Sequence, residues 1–363
     1  MLIDRRQALW LRAAGALYCG TALQPEPAHD RQPSSAGNGF YGNPILMAGD
    51  IAEISAIRMG QDYHLIHYHP CAPGFPIWRS RDLWNWEPLR RLKPRARRRR
   101  RTLSVRRILC FFEVDRKRMV RRAPHPLGPL GDAVTLGVDT LDVTHIATPD
   151  GRRYIVSGSE GANLFELSQE GLEVISGPQG IYVGWPNPKE MDIECPCEDG
   201  WNKVYRNGYY YVTGAQGGTS GRPTAHMVAA ARARSMQDPW EHSPYNQILR
   251  TESRDEPIWA QGHAKLIATP DGKWYMFHHA YLKGRWNLGR VIPPAPIEWT
   301  AEGRFGVPEG FRPDPPIAQP AGEAVPHGFR PGDDFTGPEL DVKWGFEGES
   351  ARWRRQAPAP ATF

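Results

Sequence analysis

The sequence predicts an all-β protein built from repeated antiparallel sheets. A short pattern, a small polar residue and a glycine followed by an aromatic strand, recurs four times along the chain. Asp-Gly and Asn-Gly supply the positive φ angles of tight hairpin turns, and aromatic residues pack well on pleated faces. The 37 glycines, 35 prolines and 13 tryptophans among 363 residues are typical of short strands joined by many turns. The four hairpins begin at Met59, Pro149, Arg206 and Pro270.

The spacing of the hairpins indicates how the sheets are arranged. The copies lie roughly 55 to 90 residues apart, as expected of a repeated unit. Radial repetition of such sheets gives a β-propeller, in which loops at one end of the axis build the functional site. An irregular β-sandwich is the alternative architecture.

Charge and cysteine content argue against two kinds of protein. The net charge is +5, but residues 91–122 hold fifteen Lys and Arg against Glu113 and Asp115, so the rest of the chain carries −8. An acidic body with one basic insert argues against a nucleic-acid-binding surface, and no nucleic acid partner is expected. Five scattered cysteines predict no disulfide framework, and Cys195 and Cys197 are too closely spaced for a usual zinc site.

One basic segment breaks the pattern of hairpins. Residues 91–123 show no hairpin signal, and five consecutive arginines cannot pack inside a sheet. Three interpretations stay open: a local reading-frame excursion, a solvated insertion, or a basic arm that binds nucleic acid or an acidic polymer. The only strand-like run is Ile108–Val114. We expect this run to form a partial strand, with residues 95–107 as an exposed loop.

The densest set of carboxylates lies within residues 192–219. Four acidic residues fall within eight positions, just before an Asn-Gly turn and an aromatic strand: Asp192, Glu194, Glu198 and Asp199. Glycoside hydrolysis needs a carboxylic acid held at a fixed position in the site, where it can protonate the oxygen of the leaving group. A solvated acidic turn before an ordinary hairpin is the alternative.

Two long motifs resemble a known family. NPILMAGDIAEISAIRMGQDYHLIHYHP, from Asn43, and VYRNGYYYVTGAQGGT, from Val204, are similar to bacterial members of glycoside hydrolase family 43, the β-xylosidase and α-arabinofuranosidase group. The resemblance covers residues 40–90 and 126–312. It implies a five-bladed β-propeller that hydrolyses glycosidic bonds with inversion, using three carboxyl groups.

The resemblance also suggests how the chain is divided. Residues 1–39 are predicted to be an export signal and linker, because twin arginines precede an apolar run too short to span a membrane. The mature protein would then be periplasmic or extracellular, without membrane contact. Residues 40–312 are predicted to form the propeller, with its second blade incomplete. A Pro-rich linker, 313–332, leads to residues 333–363, which resemble the truncated start of a C-terminal β-sandwich.

The resemblance assigns the base and the residue that tunes the acid. The family base is an aspartate in an Asp-Pro-Ser motif, which Glu53-Ile-Ser matches, so Glu53 stands in place of that aspartate. Asp50 matches a neighbouring family aspartate and is the reserve candidate. Asp142, three residues before His145, matches the family aspartate that orients the acid, and a like charge there raises the pKa of the acid.

The predicted acid departs most from the family pattern. In the family, the acid is the glutamate of a Glu-Gly-Pro motif. Counting back from Tyr209, Asp199-Gly-Trp occupies the positions of that motif, so Asp199 stands in place of the glutamate. The adjacent Glu198 would point to the other face of a strand. Glutamate and aspartate have therefore exchanged places at the base and the acid. A misplacement near 1 Å can cost about a hundredfold in rate. The exchange could preserve the separation of the carboxyls or mark lost activity, and both interpretations stay open.

Three further residues carry over from the resemblance. His263 matches a family histidine near the axis that helps to hold a cation, so a structural Ca²⁺ ion is conceivable there, although no cofactor is required; a buried core histidine is the alternative. Arg290 matches a family arginine at the sugar subsite, and a surface salt bridge is its alternative. Trp185 would stack on a sugar or fill the core.

Together these features predict a secreted, inverting glycosidase that acts on terminal xylose or arabinose of plant polysaccharides. Its partner would be an oligosaccharide or polysaccharide substrate. A catalytically impaired sugar-binding propeller, or the product of a damaged gene, is the first alternative. A polyanion-binding protein that uses the arginine run is the second, and its binding should weaken steeply with added salt.

Overall fold

In the computed structural model, five antiparallel sheets follow one another along the chain as the blades of a β-propeller. The structure describes residues 39–328 except 47–49, 69–74, 93–107, 115–116, 140–141, 190–192, 194, 196 and 220–223. The predicted export signal, the predicted loop 95–107, the carboxylates Asp192 and Glu194, and the predicted sandwich segment 333–363 lie outside the described residues.

Each blade is an antiparallel meander of strands that are consecutive in the chain. The strands of blade 1 are Ala52–Met59, Asp62–Tyr68, Phe75–Ser80 and Glu87–Leu92, and those of blade 2 are Ile108–Val114, Lys117–Ala123 and Val134–Thr135. The strands of blade 3 are Thr144–Ala147, Arg153–Ser157, Ala162–Leu167 and Val174–Tyr182. The strands of blade 4 are Glu198–Arg206, Tyr209–Gln216, Met227–Ala233 and Glu241–His242, with Leu249–Arg250 also paired to the third. The strands of blade 5 are Ile258–Ala268, Trp274–Leu282, Pro294–Trp299 and Phe305–Gly306.

The four predicted hairpins join the first two strands of blades 1, 3, 4 and 5. In blade 4, Asn207 and Gly208 have φ angles of 49° and 79°, the positive values that a tight two-residue turn requires. The first strands of blades 3, 4, 5 and 1 contact one another in that order. The repeat therefore places the first strand of these blades at the centre of the propeller.

Blade 2 corrects part of the expectation for residues 91–123. Ile108–Val114 is a strand, as predicted, but it pairs along its whole length with Lys117–Ala123, in a hairpin that we did not predict. Arg121 in this second strand is 5% exposed, and its guanidinium lies 5.6 Å from the centre of the Phe112 ring. The cation–π contact and the apolar stem of arginine stabilise a basic residue in a strand. In the described residues, blade 2 has three strands where blades 1 and 3 have four.

The core beside blade 1 is built from aromatic side chains. Trp78, Trp84 and Trp86 are each at most 1% exposed. The ring centre of Trp84 lies 3.8 Å from that of Tyr41 and 5.2 Å from that of Tyr275. Because Tyr275 belongs to blade 5, this cluster packs blade 1 against blade 5.

Residues on either side of the five blades pair with each other. Phe40–Tyr41 forms a two-stranded sheet with Ile317–Ala318. Farther along the predicted linker, the Gln319 amide donates to Asp82 at 3.0 Å, and the Trp86 backbone N–H donates to the ring of His327 at 3.0 Å. These contacts hold the described part of that segment on blade 1.

Strands dominate the described residues. The one helical segment among them is the short 3-10 turn Trp286–Leu288, and no helix in this part of the chain has the length and apolarity of a membrane span. Cys195 and Cys197 form a disulfide, which the scattered cysteines did not predict, and Cys110 in blade 2 is a free thiol.

We expect Asp82→Ala to lower the free energy of unfolding by roughly 2–4 kcal/mol, because several buried donors lose an acceptor. Asp82 is 1% exposed, and it accepts from the backbone N–H of Trp84 at 2.9 Å and of Asn85 at 2.8 Å. Urea unfolding followed by tryptophan fluorescence measures the change. Asp314→Ala is the matched control, because it breaks an exposed ion pair with Arg312 and should cost less than about 1 kcal/mol. Equal losses in the two variants would contradict the assignment of Asp82 as a buried anchor.

Candidate active site

Three of the predicted carboxyls lie where the first strands of different blades begin. Glu53 is the second residue of the first strand in blade 1, and Asp199 holds the same place in blade 4. Asp142 lies two residues before the first strand of blade 3. Because the first strands line the centre of the propeller, these three side chains approach one another at one end of it.

Irregular backbone at these strand starts orients the side chains. The pairing register shifts between residues 52 and 55 in blade 1 and between residues 199 and 202 in blade 4. Bulges of this kind re-aim side chains next to active sites. Glu53 and Asp142 have φ angles of 49° and 52°, in the left-handed region that few non-glycine residues adopt. Strained backbone of this type clusters at functional sites, which favours a functional role for both residues.

Asp142 accepts the hydrogen bonds that join the blades. Its Oδ2 accepts from the backbone N–H of Gly200 at 3.1 Å and lies 3.2 Å from Nε2 of His263. Single ligand atoms of Asp142, Asp199 and His263 all lie within 4.8 Å of one another. Burial opposes the charge of Asp142, but the contacts with His263, Lys265 and Gly200 outweigh it and lower the pKa of this carboxyl to about 2. Asp142 is therefore ionised at neutral pH.

The other two carboxyls are shifted in the opposite direction. Burial raises the pKa of Glu53, and the charges of Asp142 and Asp199 raise it further. Burial is also the main cause of the raised pKa of Asp199, where the charge of Asp142 adds to it and His263 opposes it. The site thus combines one permanently charged carboxylate with two that bind a proton more readily, as acid–base chemistry requires.

A buried lysine lies behind the carboxyls. Lys265 is 9% exposed, and its Nζ donates to the carbonyl of Gly200 at 3.4 Å. Burial lowers the pKa of Lys265 to about 8, while the charges of Asp142 and Asp199 act to raise it. Sequence reasoning missed this residue, although Lys265 follows His263 by two positions. The two-residue alternation of a strand could have indicated it.

Glycines allow the histidine rings to lie against the backbone. A Cβ at Gly200, whose φ is 63°, would lie 1.6 Å from Cδ2 of His263, and a Cβ at Gly262 would lie 2.2 Å from Cε1 of His226. Only glycine leaves this space. The ring of His279 lies between the other two, with its centre 5.1 Å from the centres of His226 and His263.

The predicted cation position has few donors. Asp142, Asp199 and His263 are the three residues of the described chain that could ligate one ion together. However, Nε2 of His263 already contacts Asp142, and Nδ1, which is buried without a partner among the described residues, points away from that carboxylate, so an ion at Nδ1 would not share Asp142 as a ligand. Ca²⁺ takes six to eight oxygen ligands, so these residues fit such an ion only if waters supply most of its shell.

Arg290 is paired with the reserve base candidate. Its Nε and Nη2 donate to the two carboxylate oxygens of Asp50, each at 2.7 Å, and its backbone N–H donates to Oδ1 at 2.8 Å. A carboxylate held in this way is a poor proton acceptor, so Asp50 is displaced as a candidate base. The positive charge of Arg290 also acts to lower the pKa of Glu53.

Glu198 contacts a different set of residues from Asp199. Its Oε1 accepts from the side-chain amide of Gln216 at 2.7 Å, and the same amide donates to the carbonyl of Trp185 at 3.0 Å. Burial raises the pKa of Glu198, and the bond from Gln216 opposes that shift. The half-buried Trp185 is therefore joined to Glu198 at the edge of the carboxyl cluster.

Comparison with known sequences places the chain in a family of glycosidases. Residues 111–305, more than half of the chain, match the profile of Glycosyl hydrolases family 43. A xylan 1,3-beta-xylosidase from Vibrio sp is 28% identical over 272 residues, which are 65% of this chain and 49% of that relative. A xylosidase/arabinosidase from Butyrivibrio fibrisolvens is 26% identical over 291 residues, which are 71% of this chain and 54% of that relative. The chain thus spans about half the length of the curated relatives it matches.

Solved structures share the same architecture. The GH43 protein BlXynB from Bacillus licheniformis has a TM-score of 0.71 and 24% identity, over 84% of this chain and 63% of its own. A xylan beta-1,4-xylosidase from Bacillus halodurans C-125 has a TM-score of 0.65 and 25% identity, over 83% of this chain and 63% of its own. These likenesses and the sheet order confirm the predicted five-bladed β-propeller. With the profile match over more than half of its length, the chain belongs to glycosyl hydrolase family 43.

Proposed function

We propose that the protein is an inverting glycoside hydrolase that releases terminal xylose or arabinose from plant polysaccharides. One observation carries this proposal: three carboxyls from three blades, Glu53, Asp142 and Asp199, interact with one another and have pKa values shifted in opposite directions. Inverting hydrolysis needs a base, an acid and a charge that keeps the acid protonated. The cluster supplies one carboxyl for each task.

In the proposed mechanism, Glu53 acts as the base. Its carboxylate takes a proton from a water molecule, and the water oxygen attacks the anomeric carbon on the face opposite the leaving group. Asp199 acts as the acid and gives its proton to the glycosidic oxygen. The bond from that oxygen to the anomeric carbon breaks, and the oxygen keeps the electron pair. The sugar is released with inverted configuration. Glu53 has then gained one proton and Asp199 has lost one, and proton exchange with solvent returns both carboxyls to their starting states.

Asp142 supports the acid without reacting. Burial raises the pKa of Asp199, and the charge of Asp142, which His263 and Gly200 stabilise, raises it further and so favours the protonated form of the acid. The water-activating base must be ionised while the acid is protonated, so the pair should titrate together and give a bell-shaped dependence of rate on pH.

Two residues beside the carboxyls support binding of a sugar. Arg290 uses Nε and Nη2 on Asp50, which leaves Nη1 for a sugar hydroxyl next to Glu53. Trp185, joined to Glu198 through Gln216, offers an aromatic face. The choice of pentose rests on the two relatives, named for xylosidase and arabinosidase activity.

The remaining parts of the proposal rest on sequence. Export is proposed from the twin arginines near the start of the chain. No cofactor takes part in the proton transfers described above. A Ca²⁺ ion, if one binds, would be held at Nδ1 of His263 with water ligands and would have a structural role.

A catalytically impaired propeller is the second candidate, and the exchange of Glu and Asp between base and acid favours it. The opposite pKa shifts of Asp142 and Asp199 favour the active enzyme, because such shifts concentrate at acid–base sites. Polyanion binding would depend on residues 93–107, which lie outside the described part of the chain.

We expect Glu53→Gln and Asp199→Asn each to lower kcat on xylobiose by roughly 10²–10⁴. The leaving group of dinitrophenyl xyloside needs no proton. On this substrate Asp199→Asn should lower kcat much less than on xylobiose, whereas Glu53→Gln should lower kcat by the same factor on both. Steady-state kinetics on the two substrates measures the difference. Asp150→Asn, in a surface turn of blade 3, is the control and should match the wild type.

Two results would contradict these assignments. Equal losses of Asp199→Asn on both substrates would remove Asp199 as the acid, and Glu198→Gln would then be the variant to compare. Absence of turnover by the wild type on xylosides and arabinofuranosides alike would favour the impaired propeller.

Lys265→Met should shift the alkaline side of the pH profile to higher pH. The cation of Lys265 acts to lower the pKa of Asp199, so its removal lets that pKa rise and keeps the acid protonated to higher pH. The profile of kcat/KM on xylobiose measures this, with Lys283→Met, at an exposed ion pair, as the control. An alkaline limb that stays in place or moves to lower pH would show that Lys265 does not act on the acid.

A further inference from the structure

A cavity of about 340 Å³ opens between blades 3 and 4, outside the carboxyl cluster. Its walls come from the start of the third strand of blade 3, the end of the fourth strand of blade 3, and Trp240 and His242 of blade 4. None of Glu53, Asp142 and Asp199 lines it. We propose that this cavity is a second carbohydrate-binding site, which holds one sugar residue of a neutral polysaccharide chain. The choice of a plant polysaccharide as occupant rests on the proposed function.

Aromatic and apolar groups line part of the cavity. Trp240 is partly exposed, and its ring centre lies 6.4 Å from that of Tyr182. Val183, at the rim, is 84% exposed. The C–H face of a sugar ring packs on an aromatic surface of this kind, and an open valine beside it extends the contact.

Polar groups also line the cavity. The hydroxyl of Tyr182 lies 2.8 Å from Nδ1 of His242, which leaves Nε2 of that ring without a partner among the described residues. Within the same part of the chain, the carboxylate of Glu160 has neither a hydrogen bond nor an ion pair, and Glu160 is exposed. Asn163 adds an amide. This mixture of donors and acceptors around an aromatic wall suits the hydroxyls of a sugar.

The charge of the lining selects among ligands. Among the described residues that line the cavity, Glu160 is the one acidic residue, and neither lysine nor arginine is present. A phosphate or a sugar acid would meet a carboxylate without a compensating cation, which disfavours it. A neutral sugar can donate its hydroxyls to the same carboxylate.

Two residues that line the cavity contact the blade 4 strand that carries Asp199. Glu160 pairs with Glu198 in an isolated parallel bridge, and Tyr182 packs edge-on against Trp201, two residues after Asp199. A polysaccharide held here would therefore stay close to the strand that carries the proposed acid. Such a second contact raises the effective concentration of chain ends at the catalytic centre.

The test compares binding of a polymer with turnover of a small substrate. Affinity electrophoresis in gels containing soluble arabinoxylan measures binding, in a Glu53→Gln background so that the polymer is not cut. We expect Trp240→Ala to weaken this binding at least about fivefold, the effect of losing one aromatic contact. In the otherwise wild-type chain, kcat/KM on nitrophenyl xyloside should stay within about twofold, because the small substrate does not reach the cavity.

Two further variants keep the test decisive. Trp240 packs on a buried cluster, so Glu160→Gln, at an exposed position, repeats the measurement without a risk to folding. Tyr245→Ala removes a different exposed aromatic residue and should leave binding unchanged. The second site is overturned if the arabinoxylan gel slows both cavity variants as much as it slows the Glu53→Gln parent. It is also overturned if the gel does not slow the parent at all. If the protein hydrolyses none of the substrates but Trp240→Ala still weakens its binding to arabinoxylan, the proposed function is refuted and the second site is retained.

Discussion

The hydrogen bonds at Oδ2 of Asp142 hold the proposed site together. That single oxygen is in contact with Gly200 of blade 4 and His263 of blade 5, while Asp142 itself belongs to the start of blade 3. Contacts from blades 4 and 5 stabilise the charge of Asp142 against burial, and its low pKa is the result. The same charge acts on Asp199 and on Glu53 of blade 1, so four blades contribute to one electrostatic unit.

This arrangement depends on backbone that regular strands do not provide. Asp142 and His263 have φ angles of 52° and 57°, and each such conformation costs about 1–3 kcal/mol in a non-glycine residue. Gly200 meets the ring of His263 at a distance that no Cβ would allow. The propeller supplies the rigid surroundings that sustain this strain, with the aromatic core between blades 1 and 5 on one side.

Much of the fold could be predicted from local chemistry, because Asp-Gly or Asn-Gly turns mark the first hairpin of blades 3, 4 and 5, and a turn with Gly60 marks that of blade 1. The strand Lys117–Ala123 could not be predicted, because its basic residues conceal the strand pattern, and the contact of Arg121 with Phe112 is visible only in the folded chain. Motif resemblance located the three carboxyls but not their environment. Lys265 behind them and the pairing of Asp50 with Arg290 depend on contacts between strands distant in sequence, which no single stretch of the chain reveals.

The anomeric configuration of the first sugar released tests the central claim most directly. If Glu53 activates water on one side of a β-xyloside while Asp199 protonates the other, proton NMR during early turnover should show α-xylose first, before mutarotation produces the β-anomer. Early appearance of β-xylose would mean a covalent, retaining route, and the roles given to Glu53 and Asp199 would then be wrong.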